Sequence, residues 1–321
     1  MKQTDSNILI SIVIPIFNRE FLLPGTLESL VRQTYRPLEI ILVDNHSTDK
    51  SLDCCLHFQS TYSGSDFQVQ VIREPHPGAN AARNTGYKAS MGKYLFFFDS
   101  DDRLYSDSLS RIATCLTEQS YPEAIAYPFV LSYQDGRKLR RPNRISSDAA
   151  SQLFDIVLST HNCCINRSLI EKAGLWNESL QRWQDLEFGF RLLLNTQELV
   201  WMKGKPLYEV TMHETAISSA TYTQDQAILS ATLDAIQETI NTLPADENKH
   251  HMQRALCFKW CSVAAKIRQE QNNRAGIDLY AHAIHQIPVS RRLLTRAVLW
   301  AHYTYSSLGG RGFWRLAEKL I

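Results

Sequence analysis

The sequence contains no long hydrophobic run. Its densest apolar stretch, Tyr94-Leu95-Phe96-Phe97-Phe98, is enough for a buried strand but far short of the roughly 18 apolar residues of a membrane span. An excess of charge of one sign is also missing. Lys and Arg number 34 against 33 Asp and Glu, a formal net charge of +1, so no nucleic acid partner held through many phosphate contacts is expected. An even set of cysteines is lacking too: there are seven, with Cys54-Cys55 and Cys163-Cys164 adjacent. Adjacent cysteines make a poor disulfide framework, and reduced thiols in a cytoplasmic protein are expected. No internal repeat or low-complexity tract is present. The opening MKQTDSNILISIVIPIFNRE has Asp5 and Asn7 ahead of its apolar run, which ends in Pro, Asn and Arg where a cleavage site would have small residues. It reads as a strand, not as a signal peptide.

The 321 residues are 44% hydrophobic and 21% charged, a globular balance with room for one large domain or two modest ones. Residues 8–16 and 38–43 are almost continuously apolar, as strands buried on both faces are. Residues 69–72 form a weaker strand candidate and 94–98 a fourth. Between them, Leu23, Leu27, Leu30 and Val31 recur at helical spacing, and 78–90 reads as a helix in which Ala79, Ala82 and Gly86 permit close packing. This alternation predicts a mostly parallel sheet flanked by helices. From about residue 124 the order changes: strands at 125–127 and 130–134 with a turn at Asp135-Gly136, helices at 147–158, 167–173 and 185–195, and strands at 199–203 and 207–212. Beyond about residue 221 the pattern is all-helical.

Polar residues gather after the carboxyl ends of the strands: Asn18-Arg19, Asp44-Asn45 and Asp99-Ser100-Asp101-Asp102. In open α/β sheets that edge is where ligands bind. Three carboxylates within four residues repel one another unless neutralised, and a hard divalent cation does this, as Mg2+ does between carboxylates and phosphates. A solvated acidic turn capping the next helix explains the cluster equally well; Asp44 on the same edge favours a metal–diphosphate site. Asp44 can accept hydrogen bonds from a base or ribose, whereas Asp49 fits a helix N-cap for 50–58. The helix opened by Gly78-Ala79-Asn80-Ala81-Ala82-Arg83-Asn84 can offer its first amides and Arg83 to a nucleotide. Packing on a sheet explains its alanines, but not Arg83 beside Asn84. Cys257 and Cys261, with His250 and His251 upstream, match no common zinc spacing and read as buried small residues, with Phe258 and Trp260 as core.

The series SIVIPIFNRE, EIILVDNHSTD and PGANAARNTGYKASMGKYLFFFDSDD resembles the family 2 inverting glycosyltransferases of GT-A fold, strongly over about 9–105 and more loosely to about 220. The resemblance implies a Rossmann-like α/β GT-A domain over 1–220, with a nucleotide-binding half (1–105) and an acceptor-binding half (106–220), followed by a helical C-terminal region, 221–321. It implies that Pro15, Phe17, Asn18 and Asp44 hold the nucleotide of a sugar-nucleotide donor, a UDP-sugar foremost, with Arg83 near it. Asp99 and Asp101 match the family's DxD motif: Asp101 becomes the direct ligand of Mg2+ or Mn2+, Asp99 faces ribose or metal, and Asp102 extends the motif. The family's base-bearing ED motif is matched by Trp183-Gln184-Asp185, with Gln184 in place of Glu and Asp185 as the catalytic base. His213 resembles a late histidine that approaches the metal or diphosphate.

The implied activity is metal-dependent, inverting transfer to the hydroxyl of a sugar or lipid-linked acceptor, in cell-surface polysaccharide or glycolipid synthesis. The alternatives are a non-catalytic nucleotide-sugar-binding protein of the same fold and a DxD-type phosphohydrolase. The latter wants Thr or Val where Arg103 stands. A nucleotidyltransferase would need a Gly-rich, Arg-containing loop in place of Pro15-Ile16-Phe17-Asn18. In residues 286–321, Arg291, Arg292, Arg296, Arg311, Arg315 and Lys319 face a single acid, Glu318. On a helix, Leu293, Leu294, Ala297, Trp300, Ala301 and Tyr305 share one face, interrupted in pattern only by Leu299. Such a segment, 289–319, either packs on the protein with its basic face in water or lies peripherally on the inner face of the membrane.

Overall fold

The computed structural model describes residues 8–141, 144–213, 221–288 and 292–321. Among them two compact units form. One lies within Met1–Ile145, Leu158–Gln181 and Asn195–Glu214, the other within Ser146–Val157, Arg182–Leu194 and Thr215–Ile321.

The first unit opens with β1 (Ile10–Ile16), α1 (Leu23–Val31), β2 (Leu38–Asp44), α2 (Ser51–Tyr62), β3 (Phe67–Arg73), α3 (Ala79–Ala89) and β4 (Tyr94–Phe97). It continues through β5 (Arg103–Leu104), α4 (Ser108–Glu118), β6 (Ala124–Ala126), β7 (Phe129–Tyr133) and β8 (Lys138–Arg141). After α5 (Ala149–Phe154), which belongs to the second unit, come β9 (Cys163–Asn166) and α6 (Arg167–Ala173). Gly174, at φ 82°, stops α6 in a conformation that glycine adopts freely. The helix α7 (Gln184–Asn195) then precedes β10 (Leu199–Trp201) and β11 (Tyr208–Met212).

A seven-stranded sheet runs β10-β6-β9-β4-β1-β2-β3, and a four-stranded sheet runs β5-β11-β7-β8. Strands β1, β2 and β4 are buried almost throughout, because helices cover both faces of a parallel sheet. Strand β3 alternates instead, with Phe67 and Val69 buried between exposed Gln68 and Gln70, as an edge strand can. The sheet is mostly parallel; β9 is antiparallel to both β4 and β6. Neither β9 nor the smaller sheet's β5 and β8 follows from the hydrophobic pattern. The helix expected over 147–158 is shorter: Asp155 is extended, and Val157 N donates to Gln152 Oε1 at 2.7 Å. Strand β8 is exposed throughout, and its Lys138, Arg140 and Arg141 protect an open edge from pairing with other chains.

Two features of the large sheet shape the functional edge. The chain passes β1, β2, β3 outward and then crosses to β4 on the other side of β1, so the strand order reverses between β1 and β4. That is a switch point of the kind where α/β sheets bind ligands. The β1–β4 ladder also ends early, at Val13–Phe97, with Phe98 N donating to Val13 O at 2.9 Å. Pro15 lies inside β1, not in the loop after it, and its missing N–H faces the side that β4 has already left.

The second unit gathers α5, α7, α8 (Gln226–Asn241), α9 (Glu247–Gln269), α10 (Asn273–His285), α11 (Arg292–Ser307) and α12 (Trp314–Leu320). Helix α9 is its core, with Leu256, Cys257, Phe258, Trp260, Cys261 and Ala264 all buried. Helix α11 buries Thr295, Val298, Leu299, His302 and Tyr303. The stripe that either packs on the protein or meets a membrane is the outer one: Leu293 is 84% and Trp300 61% exposed. Leu299 breaks that stripe because it belongs to the other, buried face. Arg291 lies outside the described residues. No helix among the described residues is long and apolar enough to cross a membrane.

Two measurements check this packing. A Cβ on Gly86 would sit 2.3 Å from Val13 Cγ1, an overpacking worth about 1–3 kcal/mol. Gly86→Ala should therefore lower stability in urea, while Gly64→Ala, whose Cβ meets nothing within 4 Å, should not; equal midpoints would contradict the close α3–sheet contact. In the second unit His302 stacks on Phe258 at 4.0 Å, and burial holds its imidazole down at about 4. The unfolded chain, at the ordinary value of 6.5, takes up the proton first, so stability falls as pH drops from there towards 4. The stability of His302→Gln relative to the parent should rise by about 3 kcal/mol between pH 7.5 and pH 4. A gap independent of pH would contradict the buried neutral imidazole.

Candidate active site

The loop after β1 is tied to the loop after β2. Asn18, at φ 51°, accepts from Thr48 N through Oδ1 at 2.8 Å, and its own N–H donates to Ser47 Oγ at 3.1 Å. Asparagine tolerates this left-handed backbone better than most residues. Arg19 N donates to Ser51 Oγ at 2.7 Å, and Asp49 accepts from Ser51 N at 2.9 Å. Asp49 thus supports the start of α2, which begins at Ser51. Phe17 stands 55% exposed beside this loop.

Asp44 closes β2 opposite Ile16 and is 4% exposed. Its Oδ1 is buried and has no hydrogen-bond partner among the described residues. An orphaned buried carboxylate oxygen is costly unless something donates to it, so it fits a ligand donor such as a base or ribose hydroxyl. Asn45 pins the loop that leads into α3. Its Nδ2 donates to Glu74 O and His76 O, and its Oδ1 accepts from Gly78 N. A carboxylate there could not donate.

On α3, Arg83 is buried and donates through Nη1 to Asn80 Oδ1 and through Nη2 to Asp99 Oδ1, each at 3.0 Å. Its guanidinium also lies over the Trp176 ring at 4.7 Å. Asn84 grips the same segment, with Nδ2 donating to Trp176 O and Oδ1 accepting from Trp176 N. The adjacent Arg83 and Asn84 therefore position Asp99 and the 174–178 segment, which small-residue packing alone does not explain.

The three carboxylates after β4 have distinct surroundings. Asp99 meets Arg83 on one oxygen; the other lies 3.2 Å from Thr160 Oγ1 and 3.6 Å from His161 Nδ1. Burial would raise its pKa, but the His161 hydrogen bond and the Arg83 charge outweigh that and hold it below the ordinary value. Asp101 Oδ2 lies 2.9 Å from His213 Nε2, just past β11, and 3.3 Å from Arg19 Nε. Asp102 is buried, with Tyr208 OH donating to Oδ2 and Thr211 N to Oδ1, each at 2.8 Å. Burial and then the neighbouring Asp99 charge push it up to about 8. Tyr208 in turn stacks on Phe96 at 6.4 Å, which links the apolar core directly to the acidic turn.

The donor set fits a divalent cation. Ligand atoms of Asp99, Asp102 and His161 all lie within 4.8 Å of one another; Asp101 and His213 are not in that group and form a carboxylate–imidazole pair of their own. Hard oxygen donors with borderline imidazole nitrogen suit Mn2+ and, with fewer imidazoles, Mg2+. Cys257 and Cys261 are buried and free, and they form no such cluster among the described residues.

Asn18, Asp44, Arg83, Asp99, Asp101 and His213 thus all belong to the first unit, at or near the carboxyl edge of its sheet. Asp185 belongs to the second unit, in the first turn of α7 and half-buried. Because the helix begins at Gln184, Asp185 is not its cap. Its carbonyl accepts from Gln152 Nε2 at 3.3 Å, and Trp183, just before it, has φ 54°. Upstream, Arg182 pairs with Asp225 at 2.5 Å. His161 is the residue that the sequence pattern does not reveal. Extending the antiparallel β4–β9 register forward sets His161 opposite Asp99, so recognising residues 163–166 as a strand would have placed it.

The family model described as Glycosyl transferase family 2 matches residues 11–177. Over 104 residues the chain is 41% identical to the poly(ribitol-phosphate) beta-glucosyltransferase of Bacillus spizizenii, a match covering 32% of this chain and 16% of that protein. The chain spans between 16% and 36% of the length of the first curated relatives it matches. Among solved structures it is similar to S. aureus TarS 1–349 in complex with UDP-GlcNAc, with TM-score 0.67 and 17% identity over 97% of this chain and 91% of that one. It is also similar to the mannosyltransferase PcManGT from Pyrobaculum calidifontis in complex with GDP-Man and Mn2+, with TM-score 0.58 and 15% identity over 98% and 84% of the two chains. At such identities these structures share the GT-A-like fold. The family model, in contrast, spans more than half of the chain and coincides with the strands and motifs that build the acidic edge, so the chain belongs to glycosyl transferase family 2.

Proposed function

We propose that the protein is a metal-dependent, inverting glycosyltransferase acting on a nucleotide-sugar donor, a UDP-sugar foremost, and a hydroxyl of a sugar or lipid-linked acceptor in polysaccharide or glycolipid synthesis. The observation that carries this reading is the buried Asp44 oxygen without a partner among the described residues, on the same sheet edge as Asp99 and the Asp101–His213 pair. A nucleoside diphosphate would satisfy both: its nucleoside would donate to Asp44, and its phosphates would share a cation with the acidic turn. The related structures hold UDP-GlcNAc in one case and GDP-Man with Mn2+ in the other, and one relative is named for a poly(ribitol-phosphate) acceptor, which supports a polymer acceptor here.

In this reading Asp101 and His213, with Asp99, would hold Mg2+ or Mn2+, and Arg83 keeps Asp99 charged and oriented. The bound cation supplies Lewis-acid stabilisation of the charge that grows on the departing diphosphate. The Asn18–Thr48 and Asn45–Gly78 bonds fix the two loops between which the nucleoside lies. Asp185 takes the proton of the acceptor hydroxyl as its oxygen forms the new bond to the anomeric carbon. On the opposite face, the bond from that carbon to the diphosphate oxygen breaks and the configuration inverts. Arg19, beside Asp101, adds positive charge near the leaving group.

The test is transfer assayed as nucleoside diphosphate released in the presence of acceptor and Mn2+. A positioned general base is worth roughly 10²–10⁴-fold. Asp185→Asn should lower kcat by about that factor while leaving the affinity for the nucleotide unchanged. Near-parental turnover in Asp185→Asn would remove the base assignment, and release of inorganic phosphate in place of the diphosphate would remove the transferase reading.

A further inference from the structure

The second unit presents an apolar surface that none of its described residues covers. Leu293, Leu294 and Trp300 of α11 are 84%, 45% and 61% exposed, and Ile277 of α10 is 53% exposed. Between the two helices runs an open groove of about 560 Å³, lined among others by Ile277, Tyr280, Ile284, Ala297 and Trp300, with Arg296 beside them. Single exposed apolar residues are ordinary on a protein surface; a contiguous aromatic and aliphatic face is not.

The charge around this face identifies what covers it. Arg274, Arg292, Arg296, Arg311, Arg315 and Lys319 are all exposed along α10 to α12 and the turns between them. The acids in the same stretch are Asp278 and Glu318, and Glu318 already accepts from Ser151 Oγ at 2.7 Å. A two-fold contact between copies would set these arginines against their own kind. A planar anionic surface accepts Arg292 and Arg296 while Leu293 and Trp300 of the same helix enter its apolar boundary, the usual behaviour of a basic amphipathic helix carrying tryptophan.

We propose that the outer face of α10 and α11 docks the protein on an anionic lipid bilayer, with Leu293 and Trp300 inserted at the headgroup boundary and Arg292 and Arg296 against lipid phosphates. The docking holds whatever sugar the enzyme transfers, and its test uses no substrate.

The full chain is mixed with phosphatidylcholine vesicles, with and without phosphatidylglycerol, and bound protein is measured by flotation. The expected result is binding to the anionic vesicles that falls as salt is raised. Each arginine at such a surface is worth about fivefold in partitioning, so Arg292→Gln with Arg296→Gln should lower it about 30-fold. Leu293→Ser with Trp300→Ser should lower it more than about tenfold. Thermal melts confirm that both variants fold. Should the second one fail to, Trp300→Phe serves: brominated lipid should quench the parent's fluorescence more than that of Trp300→Phe. The proposal is overturned by absent binding to anionic vesicles, by equal binding of parent and both double variants, by equal quenching, or by a dimer that Trp300→Ser dissociates while lipid binding is absent.

Discussion

Three carboxylates within four residues, set where a buried aromatic strand reaches the surface, have to be kept from repelling one another. Two like charges about 4 Å apart cost on the order of 4 kcal/mol at an effective permittivity of 20. Each acid of the 99–102 turn is balanced differently. Asp99 remains charged beside Arg83 and His161, Asp101 faces His213 and Arg19, and Asp102, which burial pushes towards its neutral form, is met by Tyr208 and Thr211 at its two oxygens. The partners come from α3, the loop before β9, the residue after β11 and the loop after β1. Much of the first unit converges on this turn because these partners must reach it.

The same requirement explains the shape of the sheet edge. With β4 leaving β1 after Phe97, the acidic turn gains room beside β1, and Pro15 costs no ladder bond. Asp44, on the far side of β1, keeps one oxygen buried and without a partner among the described residues. Leaving a buried carboxylate oxygen without a donor is costly, and in the proposed reading the nucleoside supplies that donor at the switch point.

The early strands are legible in the sequence because buried parallel strands are continuously apolar, and their carboxyl ends place Asn18, Asp44 and the acidic turn on one edge. Gly86 is legible as a close-packing residue for the same reason of period and size. What escapes is whatever depends on pairing between distant segments. Strand β9 is four residues long and antiparallel, so no local pattern announces it, and His161 is lost with it. The four-stranded sheet is hidden in part because β5 has two residues and β8 is wholly polar apart from Leu139. The faces of α11 are ambiguous in sequence because a helix with aliphatic residues on two sides does not reveal which side has a neighbour. The match of Trp183-Gln184-Asp185 to the family's base motif rests on resemblance, and the fold of the second unit adds only its local frame: a first-turn position on α7, anchored through Gln152, with Arg182 paired to Asp225.

The central claim is that a cation links these carboxylates to a nucleoside diphosphate. The most direct measurement is calorimetric titration of UDP into the protein with Mn2+ and again with the metal chelated, on the parent and on Asp101→Ala. Binding in the parent that is strong with Mn2+ and lost on chelation, together with weak, metal-insensitive binding in Asp101→Ala, is the predicted result. UDP affinity in the parent that is unaffected by chelation would contradict the account.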